Sequence, residues 1–232
     1  MTPTPNDLDA LRQFDTPTIC NALEIVAPER RAVGFTTRPL VCAVPDLPPI
    51  VGYARTATIR AVAPSGLTGE QTRQLRSAYY AYVAADPGPT ITVIQDLDPV
   101  PGFGAFWGEV NTAIHKGLGC LGVITDGSIR DLTDLAPGFQ LLAGSVGPSH
   151  AHVHVVDFGA QVNIHGMAVD DGDIMHADRH GAVVIPADVV TEVPAAVDLI
   201  SRRERVIIDA SQADDFDIEK LKQAMGDSAE IH

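Results

Sequence analysis

Cysteine is scarce: Cys20, Cys42 and Cys120 are the only three in 232 residues. An odd count, wide spacing and no CxxC pair argue against a disulfide framework and against a structural zinc site. Cations are also in short supply. Lys plus Arg number 16 against 30 Asp plus Glu, a formal net charge of −14. No basic run exceeds Arg30-Arg31 or Arg202-Arg203. A chain of that sign repels nucleic acid and acidic membranes unless its cations are focused, so neither is an expected partner. One or two buried cations can still make a local site for a small anion. No apolar stretch reaches the ~18 residues of a spanning helix. The opening MTPTPNDLDALRQFDTPT has neither the basic nor the apolar region of a signal peptide, and a cytoplasmic location is expected. Internal repeats and low-complexity tracts are missing too.

What remains is a core-forming chain. Hydrophobic residues make up 45% and charged residues 20%, which suits one domain over 1–232 and does not suit disorder. Helices are expected at 7–13 and at 17–25, the second opening on the N-cap and proline of DTPT. Residues 31–49 are proline-rich and read as a connecting segment. A strand is expected at 51–62, a helix at 68–85 that stops at Asp86-Pro87-Gly88, and a buried strand at 90–98. A glycine-rich loop (101–109) leads to a helix at 110–117, then a buried strand at 120–127, a helical turn in IRDLTDL and a strand at 139–146. This alternation favours parallel strands covered by helices. From 150 the pattern changes to short runs with tight turns, HVHVVDF, VNIHGMAV, DGDIMHAD and HGAVVIP, which predict an antiparallel or barrel-like β portion. Helices return at 188–208 and 217–225. The fold class is therefore α/β, with a mixed sheet or barrel-like core flanked by helices. The N-terminal helices (about 1–30) and C-terminal helices (about 188–232) are expected to pack on that core or on neighbouring subunits.

Chemistry concentrates in 108–131. A helix starting near Val110 presents backbone N–H groups with no internal partner and a partial positive charge. Gly108 in front of it lets a carboxylate or phosphate come close. Arg130 and Asp131 follow the end of a buried strand, where ligands gather in open α/β sheets. Arginine can grip a carboxylate through two hydrogen bonds, and aspartate is a hard oxygen ligand for Mg²⁺ or Mn²⁺. The alternative is an ordinary exposed ion pair.

WGEVNTAIHKGLGCLGVITDGSIRD (107–131), GDIMHADRHGAVVIP (172–186) and FDTPTICNALE (14–24) resemble the class II pyruvate aldolases that cleave 4-hydroxy-4-methyl-2-oxoglutarate and 4-carboxy-4-hydroxy-2-oxoadipate. Those enzymes share a superfamily with the regulator of ribonuclease E activity. The D-G-x-x-R-D element is the specific part. The resemblance implies an α-β-β-α sandwich assembled as a homotrimer or homohexamer. It implies a divalent metal, Mg²⁺ or Mn²⁺, and a small anionic keto acid as substrate, with oxaloacetate decarboxylation as a side activity. It assigns Glu109 as the acidic loop residue after Gly108, and the N–H groups of Val110 and Asn111 as the cradle of the pyruvyl carboxylate. Arg130 would bind the keto acid and stabilise its enolate, and Asp131 would ligate the metal. Other members carry Leu-Leu at Val110-Asn111. A glutamate from a neighbouring subunit is also implied, and Glu204 lies in the right region.

Other features read more plainly. Asp126 before Gly127 is expected as a turn residue buttressing Arg130, with a supporting metal role, shared with Glu109, as the alternative. His150, His152 and His154 would share one face of a strand; a metal site there is weighed against a solvent-facing strand or subunit contact. Asp173 and Asp178 read as turn carboxylates, His180 as a polar turn residue, Trp107 and Phe106 as packing, Cys120 as an inert small hydrophobe and Lys116 as solvent-facing. Two other functions remain open: a non-catalytic protein that binds and regulates a ribonuclease, and a lyase or hydratase acting on a sugar acid.

Overall fold

Burial runs almost unbroken along the β-branched segments 50–60, 90–96 and 120–129, as expected of strands covered on both faces. The computed structural model describes residues 3–85 and 88–232; Asp86 and Pro87 of the expected helix stop lie outside them. In chain order the elements are α1 (Pro5–Leu11), α2 (Thr16–Val26), β1 (Val41–Cys42), β2 (Ile50–Arg60), α3 (Gly69–Val83), β3 (Thr90–Asp96), β4 (Ala105–Trp107), α4 (Glu109–Gly117), β5 (Cys120–Ile129) and β6 (Gln140–Val146). They continue with β7 (His154–Phe158), β8 (Val162–Ile164), β9 (Met167–Val169), β10 (Ile174–Asp178), β11 (Gly181–Ile185), α5 (Val193–Ser211) and α6 (Ile218–Ala229).

One sheet has the order β1-β6-β5-β3-β2-β10-β11, with β4 beside β5 and β7 beside β2. The middle strands β2, β3, β5 and β6 are parallel, and the flanking pairs are antiparallel. Two strands change neighbours along their length. β2 pairs with β10 over Ile50–Tyr53 and with β7 over Ala57–Arg60. β5 pairs with β3 as far as Thr125, and with β4 at Ser128 and Ile129. The sheet therefore curls into a half-barrel, and helices flank it. The hairpin β8-β9 packs Val162, Ile164 and Met167 against Ala54, Ile91 and Ile124. Helices α1, α2 and α5 cover Val51, Ile174, Val183 and Ile185. On α3, Tyr79 and Val83 pack with Trp107, Phe139 and Leu141.

Three expectations are corrected and a fourth is narrowed. The Asp126-Gly127 pair is not a turn: β5 runs through it to Ile129, because the Asp126 carboxylate accepts the Asp96 N–H at 2.7 Å across the sheet. IRDLTDL is helical for no more than one turn, closed by the Asp134 N–H on the Asp131 carbonyl at 2.9 Å: Ile129 ends the strand and Asp131 takes a left-handed φ of 56°. The loop 101–109 contains β4, held by its pairing with β5. The segment 150–154 is a turn up to Val153, with only His154 on a strand, so the three histidines do not share one strand face.

Candidate active site

The short strand β4 sets the site's geometry. Trp107 pairs with Ile129, and the Trp107 carbonyl accepts the Arg130 N–H at 2.9 Å. This locks the start of α4 beside the end of β5. Gly108 is the N-cap of α4. A Cβ there would collide with Asp131 Oδ2 and press on Arg130 Cγ, so the close approach itself requires glycine.

Helix α4 has no cap from its own N-cap side chain, unlike α1, α2, α3 and α6. Its first N–H, from Glu109, donates instead to Asp131 Oδ2 at 3.3 Å. The next two, on Val110 and Asn111, have no partner among the described residues and carry the positive end of the helix dipole. Asp131 Oδ1 lies 3.6 Å from Arg130 Nη1, and both side chains are about one-third exposed. One carboxylate thus touches both the guanidinium and the open helix end.

Arg130, Gly108, Val110 and Asn111 line a cleft of about 560 Å³ between α3 and α4, closed on another side by His150, Val153 and His154. Two hydrogen bonds join the helices beneath it. Tyr80 Oη donates to Asn111 Oδ1 at 2.8 Å, and Tyr79 Oη meets His115 Nε2 at 2.7 Å. Since His115 Nδ1 lies 2.7 Å from the Asn111 carbonyl, which can only accept, Nε2 carries the lone pair and Tyr79 is the donor. Burial pushes His115 down to about 4, so this tie keeps the neutral ring. The Asn111 side chain also donates to Phe106 O at 2.5 Å. It is therefore part of the scaffold, and its backbone N–H is the group left for a ligand.

The other sequence-nominated residues are placed as follows. Asp131 is not on the wall of the main cleft; with Arg130, Leu132 and Val146 it lines an adjoining hollow, so Arg130 stands between the two. Glu109 lines a separate hollow with Lys116 and Asp134, and what it gives to the Arg130–Asp131 pair is its N–H. Asp126 does not buttress Arg130, because it lines a polar pocket with Arg38, Asp96 and His165. Glu204 is exposed on α5. Lys116 is exposed and its ammonium meets Pro137 O. Trp107 and Cys120 are core residues. Asp178 accepts the N–H groups of Thr16 and His180, and Asp173 that of Asp170. Arg76 and Tyr80 also reach the cleft, from α3; their i, i+4 spacing puts them on one helix face but does not by itself mark a site.

Among the described residues no three His, Cys, Asp or Glu side chains come together as a metal cage. Asp131 supplies a carboxylate oxygen in the hollow that adjoins the cleft at Arg130. That donor set suits Mg²⁺ or Mn²⁺, which keep most of their water and take remaining ligands from an oxygen-rich substrate. It does not suit a tetrahedral zinc site.

Asp126 yields a stability prediction. Burial pushes its carboxyl up from 3.8 to about 6. Between those values the folded state holds a proton that the unfolded state has lost. The group's contribution is therefore fully present below about 3.8 and is lost as pH rises through about 6. Asn at this position keeps an acceptor for the Asp96 N–H and removes the buried charge. Asp126→Asn should stabilise the protein at pH 7.5 by about 1–3 kcal/mol and give no gain near pH 4. Paired thermal melts at the two pH values check this; equal shifts at both would contradict it.

A family model described as RraA-like, Aldolase/RraA, matches residues 16–184. An uncharacterized protein of Methanocaldococcus jannaschii is 31% identical over 105 residues, 44% of this chain and 50% of that relative; the match spans half of the relative's length. Among solved structures, an uncharacterized protein from Pseudomonas syringae pv. tomato aligns over 98% of this chain and 96% of its own, at TM-score 0.72 and 22% identity. Streptomyces coelicolor RraAS2, described as an unusual member of the RNase ES inhibitor RraA protein family, aligns over 87% of this chain and 96% of its own, at TM-score 0.67 and 22% identity. At these identities the two structures bear on the fold.

Proposed function

The chain belongs to the RraA-like (Aldolase/RraA) family, and from that premise we propose that it is a divalent-metal-dependent carbon–carbon lyase of the pyruvate aldolase type. Its substrate would be a 4-hydroxy-2-keto di- or tricarboxylic acid, cleaved to pyruvate and a second keto acid. The observation that carries the reading is the meeting of two anion-directed groups, the free N–H groups of Val110 and Asn111 and the Arg130 guanidinium, with one cation-directed group, the Asp131 carboxylate.

The two N–H groups would hold the substrate carboxylate and fix its orientation. Cleavage breaks the bond between C3 and C4 as the 4-hydroxyl loses its proton, and the electron pair moves to the C2 oxygen as an enolate. Arg130 is placed to donate to that developing oxyanion. The proton needs a base in the cleft, and two imidazoles are there. His150 Nδ1 lies 2.8 Å from Ala151 O and His154 Nδ1 2.7 Å from His152 O. A carbonyl only accepts, so in each neutral ring Nε2 keeps the lone pair. Returned to C3, that proton completes pyruvate. Asp131 would hold the Mg²⁺ or Mn²⁺, which when bound supplies Lewis-acid polarisation of the keto group. Oxaloacetate would lose CO₂ through the same enolate.

Exposed Leu132 and Val146, with Pro148, form an apolar rim beside Arg130 and Asp131. That rim favours a homotrimer or homohexamer with a neighbouring subunit against the site, and Glu204 is our candidate for a residue reaching another copy. The same rim supports the second reading, a protein that binds and regulates a ribonuclease without catalysis. Purified protein with Mg²⁺ and either oxaloacetate or 4-hydroxy-4-methyl-2-oxoglutarate, with pyruvate followed by a coupled dehydrogenase, separates the readings. Pyruvate release above the metal-only rate, abolished by EDTA, is expected. No release from these or a wider aldol panel would leave the binder, and release only from sugar acids would reassign the enzyme.

A further inference from the structure

The chain has 30 acidic residues, yet among the described residues none lines the 560 Å³ cleft, which carries Arg76, Arg130, His150 and His154 instead. A volume of that order suits a ligand much larger than pyruvate. The cleft is also largely apolar away from Arg130. Thr72, Leu75, Arg76 and Tyr80 form one stripe along α3. Leu75, with Leu67, Ile114 and Val153, makes a hydrocarbon wall. Arg76 stands at the exposed edge of that wall with no hydrogen bond or ion pair among the described residues, whereas Arg73, one turn earlier on the same helix, pairs with Glu70. A cation left unpaired in an acid-free cleft of an anionic protein marks a place for an anionic group.

We infer that the substrate is an elongated 2-keto dicarboxylic acid: its keto-acid end at Arg130 and the α4 N-terminus, a hydrocarbon segment against Leu75 and Ile114, and a distal carboxylate on Arg76. This deepens the lyase reading and rests on it for the position of the keto-acid end. Arg76 and the wall beside it would set specificity for the tail. Each methylene buried there adds about three- to fourfold in affinity.

The test is calorimetric titration of the full chain in Mg²⁺ with pyruvate, 2-oxoglutarate, 2-oxosuberate and 2-oxooctanoate. 2-Oxosuberate should bind about tenfold or more tighter than 2-oxoglutarate, from its added methylenes. Arg76→Gln should cost 2-oxosuberate about tenfold, the scale of one charge-assisted contact, and leave pyruvate and 2-oxooctanoate unchanged. Arg76→Lys, which restores the charge, should recover most of the loss. Affinity that ignores tail length, or an Arg76→Gln loss equal for all four ligands, would overturn the inference while leaving the lyase reading intact. The opposite result is also distinguishable: Arg76-dependent binding of 2-oxosuberate with no binding of pyruvate would defeat the keto-acid assignment at Arg130 and keep the Arg76 subsite.

Discussion

Arg130→Ala should lower kcat/KM for pyruvate release by roughly a hundred- to a thousandfold, the scale of losing one donor to a developing oxyanion. Its fold should survive. The Arg130 side chain is about one-third exposed and its ion-pair partner is Asp131 at 3.6 Å, so stability should change by no more than about 0.5 kcal/mol. The position of Arg130 is set by its main chain, through the Trp107 carbonyl, which the substitution leaves in place. Arg130→Lys separates charge from geometry. Lysine keeps the positive charge but not the planar fork that can face a carboxylate and an enolate oxygen together, so it should recover only a small part of the loss. Steady-state kinetics and a thermal melt of each variant make the check. Turnover near the wild-type rate in Arg130→Ala would remove the guanidinium from the chemistry.

How much of this could be read from the chain depends on which residues have local partners. The start of α2 was legible because Asp15 caps it through the Thr18 N–H within four residues. The buried strands were legible because their apolar runs are continuous. The D-G-x-x-R-D run drew attention to Arg130 and Asp131, and the fold does bring them to the open end of α4. What was hidden depends on distant contacts. Asp126-Gly127 has turn composition, yet the Asp96 N–H from the next strand keeps it in β5. β4 is three residues long and exists through its pairing with β5. The carboxylate that caps α4 lies 22 residues downstream of Glu109, beyond any local capping pattern. Arg76 and Tyr80 look like ordinary helix-surface residues until α4 is laid beside α3.

Asp131 is the position where a careless substitution would mislead. Its φ of 56° is tolerated by Asp, Asn and Gly and disfavoured for other side chains by about 1–2 kcal/mol. Asp131→Ala would therefore change three things together: backbone strain, the cap on the Glu109 N–H and the negative charge. Asp131→Asn isolates the charge, because its amide oxygen can still accept from Glu109 and its backbone preference is similar. The Asn variant should melt close to wild type, while Mg²⁺-dependent turnover falls by roughly a hundredfold or more and the Mg²⁺ concentration for half-activation rises. Direct titration of Mn²⁺ gives a readout free of turnover, and weakened binding in Asp131→Asn is expected there too. Asp131→Gly completes the set: it relieves the backbone but removes both cap and charge, so any stability it loses beyond the Asn variant reports the Asp131–Glu109 contact. If Asp131→Asn still bound Mn²⁺ and responded to Mg²⁺ as wild type does, the metal would have to be held elsewhere. The Arg130–Asp131 contact would then be an ordinary ion pair that positions the guanidinium.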